Sequence, residues 1–279
     1  MSTSWRDSLT NLTFSNDQTV KAAYVQTKKV VTKFLRAAKR LASGAPGTLA
    51  LRATYGSVNM SATRRVAVFP ELGLAYNRIK KNANTSTMIL LQQLSTGEVV
   101  KGNAAKSGTR LYFDLSAQEL KNIGDLNLFI IIRNPYSRVL SAFLGKMKKQ
   151  HYQETHGTFD MTPEGFGEFL KWLENGGLTG DQHWDLQVKL MMLPLEKYDT
   201  VIRFEEYSSS MRRFLEGRGL NVPAGALEEY YPTYRGHETN ASSKLTQFYT
   251  PERAEIVRRI YAKDFEALNY STEFPDPLS

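Results

Sequence analysis

Hydrophobic and polar residues follow each other along the chain in a pattern that predicts strands separated by helices. Leu74–Ile79 (LAYNRI) alternates apolar and polar residues as a half-buried strand does, and Thr85–Leu94 then has helical spacing. Leu126–Ile132 (LNLFIII) is a continuous apolar run, which is typical of a strand buried on both faces of a parallel sheet. Asn134 and Pro135 fit the N-cap and first position of a second helix.

The remainder of the chain continues this alternation. We predict a strand at Tyr198–Phe204 and further helices at Pro163–Glu174, at Glu205–Glu216 and from Pro251 onward, the last capped by Thr250. Strands that alternate with helices favour a parallel sheet covered by helices on its faces. The expected fold class is therefore α/β, with a central parallel sheet flanked by helices.

The first seventy residues have a different character. Val20–Leu41 has the spacing of an amphipathic helix whose polar face carries many Lys and Arg residues, and Gly44 ends it. We interpret that face as solvated rather than as a groove for polyanions or a membrane surface. Ser43–Arg65 is rich in turn residues and predicts a linker. The expected domains are an N-terminal helical extension and linker over 1–70 and an α/β domain over 71–279.

Composition narrows the class of protein. The 279 residues are 41% hydrophobic, and 36 Lys and Arg against 28 Asp and Glu give a net charge of +8, which attracts anionic partners. The absence of cysteine excludes a disulfide framework and a zinc cluster of thiolates. Neither a signal-peptide pattern nor a membrane-span pattern is evident, so we expect a cytoplasmic protein.

Two polar loops follow the two strongest strands. The first covers Lys80–Thr87, and the second begins at Arg133, with Ser141 eight residues further on. Because ligands of parallel sheets bind beyond the carboxyl ends of the strands, both loops are expected at the same edge of the sheet.

The first loop has the chemistry of a phosphate site. Backbone N–H groups at a helix N-terminus favour anions, the hydroxyls of Thr85, Ser86 and Thr87 add hydrogen bonds, and the Lys81 ammonium can neutralise a transferred group. An ordinary capping turn with surface lysines fits the same residues. The glycines of a Walker A loop and of a dinucleotide-binding loop are both missing, which makes a kinase the lesser alternative.

The second loop can hold another phosphate. The Arg133 guanidinium can bind two oxygens of one phosphate, and the Ser141 hydroxyl, two helical turns on, can donate a further hydrogen bond. Alternatively, Arg133 pairs with a carboxylate and Ser141 is a small packing residue.

Together the two loops resemble those of sulfotransferases that use 3′-phosphoadenosine 5′-phosphosulfate (PAPS), in the carbohydrate-type, family 2-like branch. RIKKNANTST resembles the 5′-phosphosulfate loop, with Lys81 at the functional lysine and Lys80 where proline is usual. IIIRNPYSRVLSAF resembles the 3′-phosphate motif, in which an Arg and a Ser are eight residues apart. The resemblance extends over about Leu74–Tyr270 and leaves residues 1–70 unmatched.

The resemblance implies a P-loop-like three-layer sandwich that binds PAPS as donor and releases PAP. A segment similar to one that closes over the nucleotide, His237–Leu245 (HETNASSKL), brings in Lys244, although a polar loop that caps the last helix fits equally. The cofactor-binding residues implied are Lys81, Asn82, Ala83, Asn84, Thr85, Ser86, Thr87, Arg133, Ser141 and Lys244.

The implied reaction moves a sulfuryl group in line to an acceptor hydroxyl or amine, of a carbohydrate or another small polar molecule, and requires a general base. His183, with Asp181 close enough to orient it, is the first candidate; His237, a carboxylate and a purely structural role for His183 are alternatives. The catalytic residues expected are Lys81 and His183. We expect neither a metal nor a nucleic-acid partner. A non-catalytic protein that binds glycans or nucleic acid remains the alternative function.

Overall fold

A computed structural model describes residues 47–100, 102, 104–107, 109–229 and 240–275. Its sheet has four strands: β1 (Val66–Phe69), β2 (Leu74–Asn77), β3 (Asn127–Ile132) and β4 (Thr200–Arg203). The strands lie side by side in the order β1-β2-β3-β4, with β2, β3 and β4 parallel and β1 antiparallel to β2. The α/β class predicted from the sequence is confirmed.

Helices surround this sheet. They are α1 (residues 47–55), α2 (Met60–Thr63), α3 (Asn84–Thr96), α4 (Ala104–Ser107), α5 (Ala117–Lys121), α6 (Pro135–Lys146), α7 (Gln150–His156), α8 (Pro163–Glu174), α9 (Gln187–Leu190), α10 (Tyr207–Glu216), α11 (Ala226–Glu229), α12 (Leu245–Phe248), α13 (Pro251–Ile260) and α14 (Ala262–Ala267). No helix in these ranges has the length and apolar character needed to cross a bilayer.

Alternation along the strands produces the layers. Phe129 and Ile131 of β3 pack on one face with apolar residues of α3 and α10, whereas Leu128 and Ile130 pack on the other face with residues of α1, α2 and α9. Successive side chains of a strand point to opposite faces, so a fully apolar strand must be covered on both. A third apolar cluster, built around Trp184, joins α6, α8, α12 and α13.

The N-terminal part of the domain differs from the sequence expectation. Within the passage expected to be a turn-rich linker, residues 47–55 and Met60–Thr63 are helical, and Leu51 and Ala62 are fully buried against the sheet. Packing of these apolar side chains outweighs the turn propensity of their neighbours. The predicted helix Val20–Leu41 lies outside the described residues, and the division into 1–70 and 71–279 stays a prediction.

Strand β1 was not foreseen. Val66–Phe69 is a short apolar run that turns back at Gly73, whose φ of 64° suits glycine, to pair with β2. The sheet is therefore mixed rather than wholly parallel, with the antiparallel strand at its edge. The elements that carry the two polar loops, β2 with α3 and β3 with α6, lie where the sequence predicts them.

Candidate active site

The loop between β2 and α3 has an unusual backbone. Lys81 (φ 73°) and Ala83 (φ 52°) both occupy the left-handed region, which is uncommon for residues with a side chain. Ala83 is the N-cap of α3, and its methyl group cannot accept a hydrogen bond from the first N–H groups of this 13-residue helix. Those N–H groups, at the positive end of the helix, suit an anion.

Two side chains of this loop point into the protein. Asn82 is fully buried, and its Nδ2 donates to the Ile131 carbonyl oxygen (2.8 Å) and to Gln187 Oε1 (2.6 Å). Thr87 is also fully buried; its Oγ1 donates to the Ala83 carbonyl oxygen at 3.1 Å and lies 3.1 Å from the Tyr207 hydroxyl. The side chains of Asn82 and Thr87 therefore hold the loop in place, and the Thr87 N–H itself donates within the helix to the Ala83 carbonyl oxygen at 3.0 Å.

Asn84 and Thr85 lie half-buried at the start of α3. Thr85 Oγ1 accepts a hydrogen bond from Lys106 Nζ at 3.2 Å, which brings a second lysine, unnoticed in the sequence, to this helix N-terminus. Ser86 is 3% exposed, and the Asn84 Oδ1 atom is buried at the first position of the helix. The cations of the loop region therefore come from two parts of the chain.

Arg133 joins the two polar loops. It ends β3, is 4% exposed, and donates from Nη1 to the Lys81 carbonyl oxygen (2.9 Å) and from Nε to Ser137 Oγ (2.9 Å). Its guanidinium carbon lies 3.9 Å from the centroid of the Phe204 ring. The loops that follow the carboxyl ends of β2 and β3 are thus in direct contact at the same end of the parallel strands.

Two serines follow Arg133 along one face of α6. Ser137 and Ser141 come four and eight residues after Arg133, so they lie one and two turns along, and both are 4% exposed. The sequence analysis selected Ser141 and missed Ser137, although the spacing of four was visible. The Asn134 side chain caps this helix by accepting from the Tyr136 N–H at 3.0 Å, as predicted.

A second buried arginine, Arg138, was also missed in the sequence, and it donates a hydrogen bond to the backbone of the first loop. Arg138 is 1% exposed and donates to three backbone carbonyl oxygens, those of Lys80 (3.3 Å), Asp185 (2.8 Å) and Gln182 (3.2 Å). Burial lowers the pKa of this guanidinium. Because its donors are occupied by backbone, Arg138 fixes the segment around His183 next to the first loop.

His183 is held by Asp181 and Tyr152. Its Nδ1 is hydrogen-bonded to Asp181 Oδ1 and lies 3.1 Å from the Tyr152 hydroxyl, and its side chain is largely buried. Burial, together with the nearby charges of Lys80 and Lys146, lowers the pKa of His183 to about 4, against the opposing effect of Asp181. Burial raises the pKa of Asp181, but the hydrogen bonds from His183 outweigh it and lower that pKa to about 2. At neutral pH the pair is therefore a neutral imidazole and a carboxylate.

Lysines surround this pair. Burial lowers the pKa of Lys80, and burial with the neighbouring charges of Lys149 and Lys80 lowers the pKa of Lys146 to about 8. Lys146 Nζ lies 4.9 Å from the centroid of the Tyr152 ring. The interactions of Lys80 with both Asp181 and His183 place the histidine beside the first loop.

Lys244 ends a 3₁₀ helix, Ser242–Lys244, whose flanking residues Ala241 and Leu245 belong to the cluster built around Trp184. Its backbone N–H donates to the Ala241 carbonyl oxygen at 3.3 Å, within its own turn. These contacts do not link it to the loops after β2 and β3. His237, the alternative base, lies outside the described residues.

Comparison with known proteins decides the family. A family model described as the sulfotransferase family (family 2) matches residues 64–271. The match includes the whole sheet and both polar loops. This chain belongs to the sulfotransferase family. Sulfotransferases move a sulfuryl group from a donor to an acceptor, so the protein is a transferase with both kinds of substrate. Searches of the curated proteins and of the solved structures gave no match. Within the described residues, no His, Asp and Glu side chains are grouped so as to hold a metal ion.

Proposed function

We propose that this sulfotransferase transfers a sulfuryl group from PAPS to a hydroxyl group of a carbohydrate or another small polar acceptor. The observation that carries the proposal is the 2.9 Å hydrogen bond from Arg133 Nη1 to the Lys81 carbonyl oxygen. It joins a helix N-terminus suited to one phosphate group with a buried guanidinium and two serines suited to another. A nucleotide with phosphate groups at its 5′ and 3′ positions matches this pair of anion sites.

The chain's residues would divide the work by position. The first turn of α3 and the Lys81 ammonium would bind the 5′-phosphosulfate, and Arg133 with Ser141 would bind the 3′-phosphate. PAPS supplies the sulfur–oxygen bond that breaks, and the charge that grows on its phosphate is the charge that Lys81 and the α3 N-terminus face. Preorganised donors of this kind stabilise charge in the transition state more strongly than mobile water does, because they need no rearrangement during the reaction.

His183 would accept the proton of the attacking hydroxyl at Nε2. Its Nδ1 is bonded to Asp181, which fixes the tautomer with the proton on Nδ1 and leaves the Nε2 lone pair available. A pKa of about 4 makes it a weak base in the free protein. An anionic donor beside Lys80 and Lys146 would offset the charges that lower this pKa, and so strengthen the base when the reaction begins.

Binding of the donor can be tested by thermal denaturation with PAP, AMP and ATP. A ligand that binds only the folded state raises its melting temperature in step with the logarithm of ligand concentration over Kd. We expect PAP to stabilise the protein by several degrees more than AMP. Replacing Ser141 by Ala removes one charge-assisted hydrogen bond and should weaken PAP binding about tenfold or more, while the exposed Ser209→Ala variant serves as control.

Turnover provides the second arm of this test. Incubation with PAPS and a panel of hydroxyl-bearing acceptors should give products heavier by one SO₃ group, detected by mass spectrometry. Equal stabilisation by PAP and AMP, or PAP binding unaffected by Ser141→Ala, would overturn the donor assignment. Turnover of ATP with Mg²⁺ in place of PAPS would support the kinase alternative.

A further inference from the structure

One buried side chain is hydrogen-bonded to both polar loops. Gln187, fully buried at the start of α9, accepts hydrogen bonds at Oε1 from Asn82 Nδ2 (2.6 Å) and from the Arg133 N–H (3.0 Å). Its Nε2 donates to the Arg133 carbonyl oxygen at 2.8 Å. The loop after β2 and the loop after β3 are thereby fixed to the same amide group.

This amide is itself anchored. The Gln187 N–H donates to Asp264 Oδ2 at 2.8 Å, and the Val188 N–H donates to Asp264 Oδ1 at 3.0 Å. Asp264 is fully buried on α14, and the other hydrogen bond of Asn82 goes to the carbonyl oxygen of Ile131 in β3. The bridge between the loops therefore has one end on the sheet and the other on the C-terminal helix.

Only an amide of this length satisfies all these contacts. Glutamate would keep the acceptor oxygen and lose the donor to the Arg133 carbonyl, and methionine would lose both. Buried polar groups left without partners are costly, so replacement would allow the two loops to move apart and find other partners. Gln187 hydrogen-bonds the backbone of Arg133 and the side chain of Asn82.

We propose that Gln187 is a positioning residue that holds the two anion sites at the separation of one nucleotide's two phosphate groups, an inference that rests on the proposed function. A ligand that occupies both sites binds more tightly when their separation is fixed, because the second contact then needs no ordering of the protein. The affinity of a ligand with one phosphate does not depend on that separation. Loss of Gln187 should therefore weaken a two-phosphate nucleotide much more than a one-phosphate nucleotide.

Calorimetric titration of the parent protein and the Gln187→Met variant with PAP, AMP and adenosine 3′-phosphate tests this. We expect the variant to bind PAP at least about tenfold more weakly and to bind each monophosphate within about threefold of the parent. The matched control is Leu190→Ala, which shortens a buried apolar side chain on the same helix and removes none of the hydrogen bonds of Gln187. It should lower the melting temperature and leave the ratio of PAP to AMP affinity unchanged.

The outcomes separate the inference from the proposed function. A parent protein with no preference for PAP over AMP contradicts the proposed function. A parent that prefers PAP, with the same ratio in Gln187→Met, overturns the role of Gln187. If Gln187→Met does not fold, Gln187→Glu, which keeps the acceptor oxygen, takes its place; we expect a lowered ratio in that variant as well, and an unchanged ratio overturns the inference.

Discussion

At the scale of single residues, the loop after β2 combines strain with charge. Lys81 and Ala83 have positive φ values without being glycine or asparagine, and such conformations persist where the surrounding structure enforces them. Here the Lys81 carbonyl oxygen accepts from Arg133, and the Ala83 carbonyl oxygen accepts from the Thr87 side chain. These bonds hold the backbone in the shape that turns the first N–H groups of α3 toward the proposed 5′-phosphosulfate site.

Glycine at position 81 offers a clean test of the ammonium. Lys81→Gly removes the charge and also relieves a left-handed conformation worth about 1 kcal/mol, which roughly cancels the added entropy of the unfolded chain. We expect a stability within about 1 kcal/mol of the parent and a loss of kcat of about 100-fold or more, the magnitude seen when one preorganised charge-stabilising group is removed. Denaturant unfolding and sulfotransfer rates measure the two effects.

Lys81→Ala separates charge from strain, because alanine keeps the left-handed cost. It should lose as much activity as Lys81→Gly and have a similar stability, since it has neither the relief of strain nor the added entropy of the unfolded chain. If Lys81→Gly kept a large part of the parent's rate, the ammonium would have no role in transfer.

At the scale of elements, the site depends on helices that lie far apart in the sequence. Helix α6 presents Ser137 and Ser141 in line with Arg133, helix α3 presents its N-terminus, and α14 supports both through Asp264 and α9. Burial raises the pKa of Asp264 despite the nearby Arg138 and the two N–H donors. The C-terminal helix is therefore a structural part of the site, although it bears none of the proposed donor-binding groups.

Asp264→Asn should show this dependence. The amide keeps the shape of the side chain but turns an NH₂ group toward one of the two backbone N–H donors, which leaves a buried donor without an acceptor at a cost of about 1–3 kcal/mol. We expect a lower free energy of unfolding and weaker PAP binding. Glu266→Gln, an exposed change on the same helix, is the control and should stay within about 0.5 kcal/mol of the parent.

Unaltered PAP affinity in a destabilised Asp264→Asn protein would separate α14 from the site. Because this outcome compares the stability of the variant with its affinity for PAP, chemical denaturation and titration with PAP should be made on the same preparation.

At the scale of the whole molecule, the buried pair of His183 and Asp181 makes the stability of the folded protein depend on pH. The pKa of His183 is about 4 in the folded protein and about 6.5 in the unfolded chain, so the unfolded chain binds the extra proton between these values. The contribution of His183 to stability is therefore complete above about pH 6.5 and is lost as the pH is lowered toward about 4. The gap corresponds to about 3 kcal/mol.

Denaturant unfolding at a series of pH values tests this linkage. The parent should lose stability steadily from about pH 6.5 to about pH 4, and His183→Gln, which can still donate to Asp181, should lose much less. His151→Gln removes an exposed histidine and is the matched control. A parent whose stability does not change across this window would contradict a neutral, buried His183.

Much of the local structure could be predicted from residues that are neighbours in the chain. The apolar run of β3, the Asn134 cap with Pro135, the helix Pro163–Glu174 and the two polar loops follow from residues close together in the chain, because periodicity and capping are short-range effects. Strand β1 and helix α1 did not follow, since short or turn-rich segments take their structure from packing against a sheet that is not yet visible in the sequence.

The contacts that hold the site together join residues far apart in the chain and could not be predicted from it. Gln187 meets a partner 105 positions earlier at Asn82 and another 54 positions earlier at Arg133, and Arg138 reaches the backbone beside His183. Asn82 and Thr87, which the sequence presents as ligand groups, turn inward to bond buried partners. A buried polar side chain must find its partner wherever folding places it, and no local pattern records that choice.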